Sequence, residues 1–258
     1  MEYIEFKNIN KTFFKATPRE FKALENINFT ISKGDFVTIV GSNGAGKSTL
    51  LNLIQGLIAK DSGNIYINGK DILQISQIER AKFISCVFQN PLDGTAPRMT
   101  ILENLSLAYR RGNRRTLRES TKKQEIEIFV KELKKLNLGL EDKLNTPIGF
   151  LSGGQRQCIS LIMASLNNPK LILLDEHTSA LDPKMQNVLM EITDEKIKEK
   201  NLTAFMVTHR LTDALKYGNR LLVMHRGKIV FDFKDEEKKK LNVKDLYEII
   251  LKLDCENN

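Results

Sequence analysis

DFVTIVGSNGAGKSTLLNLIQGLI, residues 35–58, decides the fold. The apolar, β-branched run DFVTIV enters a loop rich in glycine, and Leu50, Leu53, Ile54 and Leu57 leave it at helical spacing. Strand, glycine loop and helix in that order form the context in which G-x-x-x-x-G-K-S/T holds a phosphate. Gly41, Gly46, Lys47 and Ser48 meet the pattern, with Ser42, Asn43, Gly44, Ala45 and Thr49 completing the stretch. Backbone N–H groups point into such a loop, glycine permits close approach, and the helix adds the positive end of its dipole. Lys47 is placed for the β- and γ-phosphates of a nucleotide, and the Ser48 hydroxyl for Mg²⁺.

LILLDE, residues 171–176, reads as a buried strand ending in two carboxylates. Ligands of a parallel sheet bind at the carboxyl ends of its strands, so Asp175 is expected beside the glycine loop. Asp175 suits Mg²⁺ held through water, because that ion keeps much of its hydration shell. Glu176, one residue on, is suited to orient and deprotonate an attacking water. YIEFKNI, INFTIS and TAFMVTH read as further strands, NIYINGKDI as a hairpin turning at Asn68-Gly69, and RLLVMHRGKIVFDF as one turning near Arg226-Gly227. Between about 78 and 165 strand signals fade, and Ile126, Phe129, Val130, Leu133 and Leu136 repeat at helical spacing. This predicts an α/β core, residues 1–233, with an inserted helical subdomain. Residues 234–258 read as a charged linker, KDEEKKK, and a last helix with Val243, Leu246, Tyr247, Ile250 and Leu253 on one face.

The loop and the acidic strand leave the purpose of the chemistry open. LSGGQRQCISLIMASL, from Leu151, narrows it: Ser152 is a good N-cap, Gly153 and Gly154 leave backbone N–H groups bare, and an apolar helix follows. That is a second anion-binding helix start, whereas one nucleotide needs one cradle. Here the chain resembles the ATP-binding cassette (ABC) ATPases over nearly its whole length, with LSGGQ as their signature. The resemblance implies a P-loop NTPase core of mixed sheet and flanking helices with an N-terminal antiparallel β part. It implies ATP and Mg²⁺ as cofactors and head-to-tail pairing, in which Ser152, Gly153, Gly154 and Gln155 complete the ATP site of a second subunit.

The same resemblance makes Gln89, in VFQNP, the Q-loop glutamine that reaches Mg²⁺ and the attacking water. It makes Ser179 to Asp182 (SALD) the loop that crosses the dimer interface, and His209, in VTHR, the switch that contacts the γ-phosphate. Phe13, in KTFF, takes the place of the adenine-stacking aromatic, with Phe14 in reserve; a core phenylalanine is the competing reading for either. His177 and His225 read as ordinary, although many relatives have proline where His177 stands. NPLDGTAPRMTILENLSLAYRRG together with DEHTSALDP resembles the ATPases of tryptophan/tyrosine-type amino-acid importers.

Composition bounds the remaining choices. Forty basic residues against 32 acidic ones give a formal charge of +8, with one dense patch at Arg110, Arg111, Arg114, Arg115 and Arg118 that reads as a solvated face or a contact for lipid headgroups or an acidic loop. Three cysteines without a C-x-x-C pair fit a reducing compartment, with Cys86 and Cys158 in the core and Cys255 in a tail. Apolar runs of four or five residues fall far short of the roughly 20 that span a bilayer, and the N-terminus is no signal peptide. The expected protein is therefore the ATPase of an importer. It sits peripherally at the cytoplasmic face of the membrane on a separate permease, as a homodimer, served indirectly by an extracytoplasmic solute-binding protein. No nucleic-acid partner is expected. The alternatives are an exporter ATPase and a soluble cassette acting on nucleic acid or ribosomes. The interval from Lys47 to Ser152 is too short for the coiled coil of DNA-repair cassettes.

Overall fold

In a computed structural model, residues 3–112 and 122–255 are described. The chain divides into two compact units, Met1–Arg80 with Asn201–Asn258, and Ala81–Lys200. The first stretch carries β1 (Ile4–Phe13), β2 (Phe21–Ile31), β3 (Phe36–Val40), α1 (Lys47–Gln55), β4 (Ser62–Ile67), β5 (Lys70–Asp71) and α2 (Gln77–Arg80). The second unit holds β6 (Ile84–Val87), α3 (Ile101–Tyr109), α4 (Lys123–Lys134), α5 (Gly153–Ser165), β7 (Leu171–Asp175) and α6 (Pro183–Glu199). The chain then returns to the first unit with β8 (Ala204–Val207), α7 (Leu211–Lys216), β9 (Arg220–His225), β10 (Lys228–Lys234), α8 (Asp235–Lys240) and α9 (Val243–Cys255).

Two sheets build the first unit. An antiparallel sheet in the order β2-β1-β4-β5 lies at its N-terminal part. Its β1–β2 ladder slips register near Ile9, where Asn8 and Asn26 adopt φ of 51° and 50°, a region asparagine tolerates better than most residues. Side-chain amides fill the gaps: the Asn8 N–H donates to Asn28 Oδ1 at 2.9 Å, and the Asn26 N–H to Asn10 Oδ1 at 2.9 Å. The other sheet runs β10-β9-β3-β8, with β3 parallel to both β8 and β9. All five residues of β3 are buried, as a strand with parallel neighbours on both sides must be. Phe6, Phe29 and Phe205 fill part of the core, Phe6 and Phe29 stacked with centroids 4.1 Å apart.

Both predicted hairpin turns form, Asn68-Gly69 with φ of 50° and 74° and Arg226-Gly227 with φ of 45° and 76°. Positive φ at both central residues matches the right-handed twist of the strands they join.

The second unit extends beyond the insertion expected over 78–165. β6 pairs in parallel with β7, Val87 opposite Leu174, and α6 lies against α5, which draws residues up to Lys200 into it. Phe129 and Leu133, from the predicted helical face, are fully buried. Arg110 pairs with Glu125 at 3.0 Å and the Arg111 guanidinium donates to Ser85 Oγ at 2.7 Å, so these two arginines are tied into the unit. The rest of the basic patch, Arg114, Arg115 and Arg118, lies outside the described residues.

The charge run expected as solvated linker is helix α8 instead. The Glu237 carboxylate accepts from the Lys234 N–H at the helix start. Lys238 is buried, its ammonium donating to the carbonyls of Tyr217 and Gly218 and to Thr38 Oγ1. Burial lowers the pKa of Lys238 to about 8. α9 follows, with Leu246, Ile250 and Leu253 packed on Val40, Ala214, Leu221 and Val223.

Candidate functional site

β3 delivers the chain into the glycine loop of the first unit. Gly41 has φ of 150°, and a Cβ there would stand 2.0 Å from the Met224 carbonyl oxygen; at Gly46, φ 102°, it would stand 2.4 Å from that of Ala23. Both obstacles are backbone and cannot turn aside, so the two motif glycines are steric requirements of this loop. The Gly227 N–H donates to Ala45 O at 3.0 Å, and the Glu25 N–H to Gly227 O at 2.8 Å, stitching the β9–β10 turn to the loop.

α1 begins at Lys47 with no side-chain cap and no acid in its first turn, which leaves the positive helix end to a ligand. At its far end, the buried Arg80 guanidinium donates to Leu53 O at 2.8 Å and Ile54 O at 3.2 Å, capping the orphan carbonyls. Lys47 is buried, with its ammonium donating to Gly41 O at 2.7 Å and Ser42 O at 3.0 Å, while Ser48 is exposed.

His209 leaves the carboxyl end of β8, which runs beside β3 with Val207 opposite Ile39. The Thr208 N–H donates to Ile39 O at 3.2 Å, so His209 emerges at the strand ends from which the glycine loop also starts. Phe13 is half-buried at the end of β1, with the Lys11 ammonium 5.2 Å from its ring and Phe21 opposite it on β2. Phe14, the reserve candidate, is 66% exposed with φ of 52°.

In the second unit the parallel pairing of β6 and β7 sets Gln89, Asp175 and Glu176 at one pair of strand ends. Glu176 has φ of 46°, a left-handed conformation that few glutamates adopt and that costs of order 1–3 kcal/mol. The turn is held by the Ser179 N–H donating to Glu176 O at 2.9 Å. Gln89 Nε2 donates to Ser179 Oγ at 3.1 Å, which ties the glutamine to the SALD loop. Asp182 caps α6 by accepting from the Met185 N–H at 3.0 Å.

α5 starts with a capping box, Ser152 Oγ accepting from the Gln155 N–H at 3.3 Å and Gln155 Oε1 from the Ser152 N–H at 3.2 Å. Like α1, it has no acid in its first turn. Ser152 and Gly153 are exposed, whereas a Cβ on Gly154 would come within 2.4 Å of Met185 Cγ on α6. Phe150, just ahead of the signature, is 82% exposed.

Residues 24–179 match the family described as ABC transporter. The chain is also 45% identical over 249 residues to the tyrosine transport ATP-binding protein of Clostridioides difficile (strain R20291), covering 95% of this chain and 97% of that one. The chain belongs to the ABC transporter family. As an ABC ATPase it binds and hydrolyses ATP as the nucleotide-binding subunit of a transporter. It is 34% identical over 229 residues to the energy-coupling factor transporter ATP-binding protein EcfA2 of Acetivibrio thermocellus, covering 88% of this chain and 78% of that one. Among solved structures it resembles the ATP-binding cassette MJ0796, a dimer in a post-hydrolysis state bound to ADP and Pi. That likeness has a TM-score of 0.76 at 31% identity, over 90% of this chain and 98% of the other. It also resembles cbiO1 from Clostridium perfringens, part of the transporter complex cbiONQ, with a TM-score of 0.77 at 25% identity, over 98% and 94%. No helix among the described residues is long and apolar enough to cross a membrane.

His177, where many ABC ATPases have proline, is buried, with Nε2 3.1 Å from Thr193 Oγ1. Thr193 Oγ1 donates to Leu189 O at 2.7 Å, so its own hydrogen is committed and the histidine must be the donor. That puts a proton on Nε2, and burial keeps the ring neutral by lowering its pKa from 6.5 to about 4. The sequence did not single out the residues beside the glycine loop in the first unit. A cavity of about 460 Å³ there is lined by the loop together with Phe21, Lys22, His225, Arg226 and Asp254. Only the Arg226-Gly227 turn signal pointed near it.

Proposed function

We propose that two copies of this chain hold two ATP molecules between them, each copy supplying the Gly41–Thr49 cradle to one nucleotide and the Ser152–Gln155 helix start to the other. The observation that carries this reading is the pair of helix starts, α1 and α5, both opened by glycine and both free of acids in the first turn. One triphosphate occupies one of them, and the second needs a phosphate from elsewhere. The dimeric state of MJ0796 supports the same arrangement.

Lys47 holds the β- and γ-phosphates, His209 contacts the γ-phosphate, Phe13 stacks on adenine, and Asp182 lies at the dimer seam. The donors for Mg²⁺ are the Ser48 hydroxyl, the Gln89 amide and the Asp175 carboxylate. Among the described residues no group of three or more His, Cys, Asp or Glu could hold a metal. One carboxylate with neutral oxygens suits Mg²⁺, which takes its remaining ligands from phosphate and water. The ion neutralises phosphate charge when bound. Glu176 accepts a proton from the attacking water, and Gln89 passes the state of the site to the SALD loop through Ser179.

Hydrolysis drives import of an aromatic amino acid, a reading supported by the tyrosine transport relative. The subunit sits peripherally at the cytoplasmic face of the membrane on a separate permease, and an extracytoplasmic solute-binding protein delivers the cargo. Glu176→Gln tests the chemistry: ATP binding should persist while turnover falls about 10²–10⁴-fold, the usual span for loss of a general base. Undiminished phosphate release by that variant would remove Glu176 from the role.

A further inference from the structure

The glycine loop of the first unit carries a carboxylate from the end of the chain. Ser42 Oγ lies 2.7 Å from Asp254 Oδ1 and 2.6 Å from Oδ2, so the hydroxyl donates to a carboxylate in the last turn of α9. On its other side Asp254 Oδ1 is 3.5 Å from His225 Nδ1. The Nε2 of that ring is buried without a hydrogen-bond partner, leaving Asp254 as the polar neighbour that orients it. Asp254 lines the same cavity as Ser42, Asn43 and Gly44, with Lys22 and Arg226 on its walls.

The placement of Asp254 is not that of a loose tail. Leu246 is fully buried, and Ile250 and Leu253 follow it at helical spacing onto a cluster that includes Val40. Val40 is the last residue of β3, directly before Gly41, so the helix and the glycine loop ride on one strand. Packing therefore delivers the carboxylate to a loop whose function is to receive phosphate, and like charges oppose each other there.

We propose that Asp254 sets nucleotide affinity: its carboxylate holds the loop through Ser42, opposes the incoming polyphosphate, and is released with the last turn of α9 when MgATP binds. The C-terminal helix thereby becomes a built-in brake on loading of the cradle. The proposal rests on nucleotide binding at the Gly41–Thr49 loop.

One unit charge acting on about two net charges of MgATP across roughly 8–10 Å of water-like dielectric changes binding about four- to sixfold. Calorimetric titration of the full-length protein with MgATP is the test, on wild type, Asp254→Asn and Lys47→Ala in parallel. Asp254→Asn keeps the shape and removes the charge, so it should bind MgATP four- to sixfold more tightly at low salt. The gain should shrink in 1 M salt, where the screening length is about 3 Å. Hydrogen exchange at the amides of 250–254 should also quicken in wild type on saturation with MgATP. Equal or weaker binding by Asp254→Asn, or unchanged exchange, overturns the brake while binding by wild type and not by Lys47→Ala leaves the cradle standing. If Lys47→Ala binds as wild type does, or neither binds, the cradle assignment and the brake fall together.

Discussion

Acid sensitivity of the second unit should be traceable to one ring, that of His177. The ring is buried and neutral, donates through Nε2 to Thr193, and has a pKa lowered to about 4 from 6.5. In the unfolded chain the same histidine titrates near 6.5, so between pH 6.5 and 4 the unfolded state binds the extra proton and folding stability rises with pH. The native state is at its full strength above pH 6.5 and loses it progressively as pH falls toward 4. From pH 7.5 to pH 5 the linkage is worth about 2 kcal/mol, and below pH 4 it levels off at about 3 kcal/mol. Urea unfolding of wild type and His177→Gln across pH 5–7.5 measures it as a difference, which cancels the carboxylates common to both. The variant should lose about 2 kcal/mol less than wild type over that interval. His177→Leu provides a second comparison in case glutamine packs poorly. Parallel pH profiles for wild type and both variants would show that burial does not hold the ring neutral, and the lowered pKa would be wrong.

Other substitutions separate the two halves of the proposed ATP site. Ser152→Arg should abolish turnover, because it fills the α5 helix start, yet leave MgATP binding to a single chain within about twofold by calorimetry. Phe13→Ala should weaken MgATP binding by the roughly 1–3 kcal/mol of a stacked base, read in the same titration, whereas Phe14→Ala should leave it unchanged. The Glu176→Gln loss of turnover, read by phosphate release, completes the set.

Local chemistry made much of this architecture legible. Glycine and asparagine signals located the loop and both hairpins, because a turn's φ requirement is met by its own residues. The mostly apolar β3 and the Ser152 cap opening α5 were readable from their own residues as well. What escaped detection depends on partners far along the chain. Lys234–Lys240 looked like solvated charge, since nothing near it reveals that Lys238 meets the carbonyls of Tyr217 and Gly218. Asp254 carried no signal in the sequence, with its partner Ser42 212 residues away. Arg110 and Arg111 looked like surface until Glu125 and Ser85 were found beside them. The Glu176 conformation was equally hidden, since only the turn that follows β7 imposes φ of 46° on it. A resemblance to a family supplied roles for Gln89, Asp182 and His209 that no local rule could assign.

The reading of two half-pockets completed by a second copy is tested most directly by the solution mass of Glu176→Gln with saturating MgATP, measured by light scattering after size exclusion. The account predicts a species of twice the chain mass of 29.5 kDa that reverts to the single-chain mass when MgATP is replaced by MgADP or when Ser152→Arg is added. A protein that stays at the single-chain mass in MgATP, alone and on its membrane partner, would contradict it.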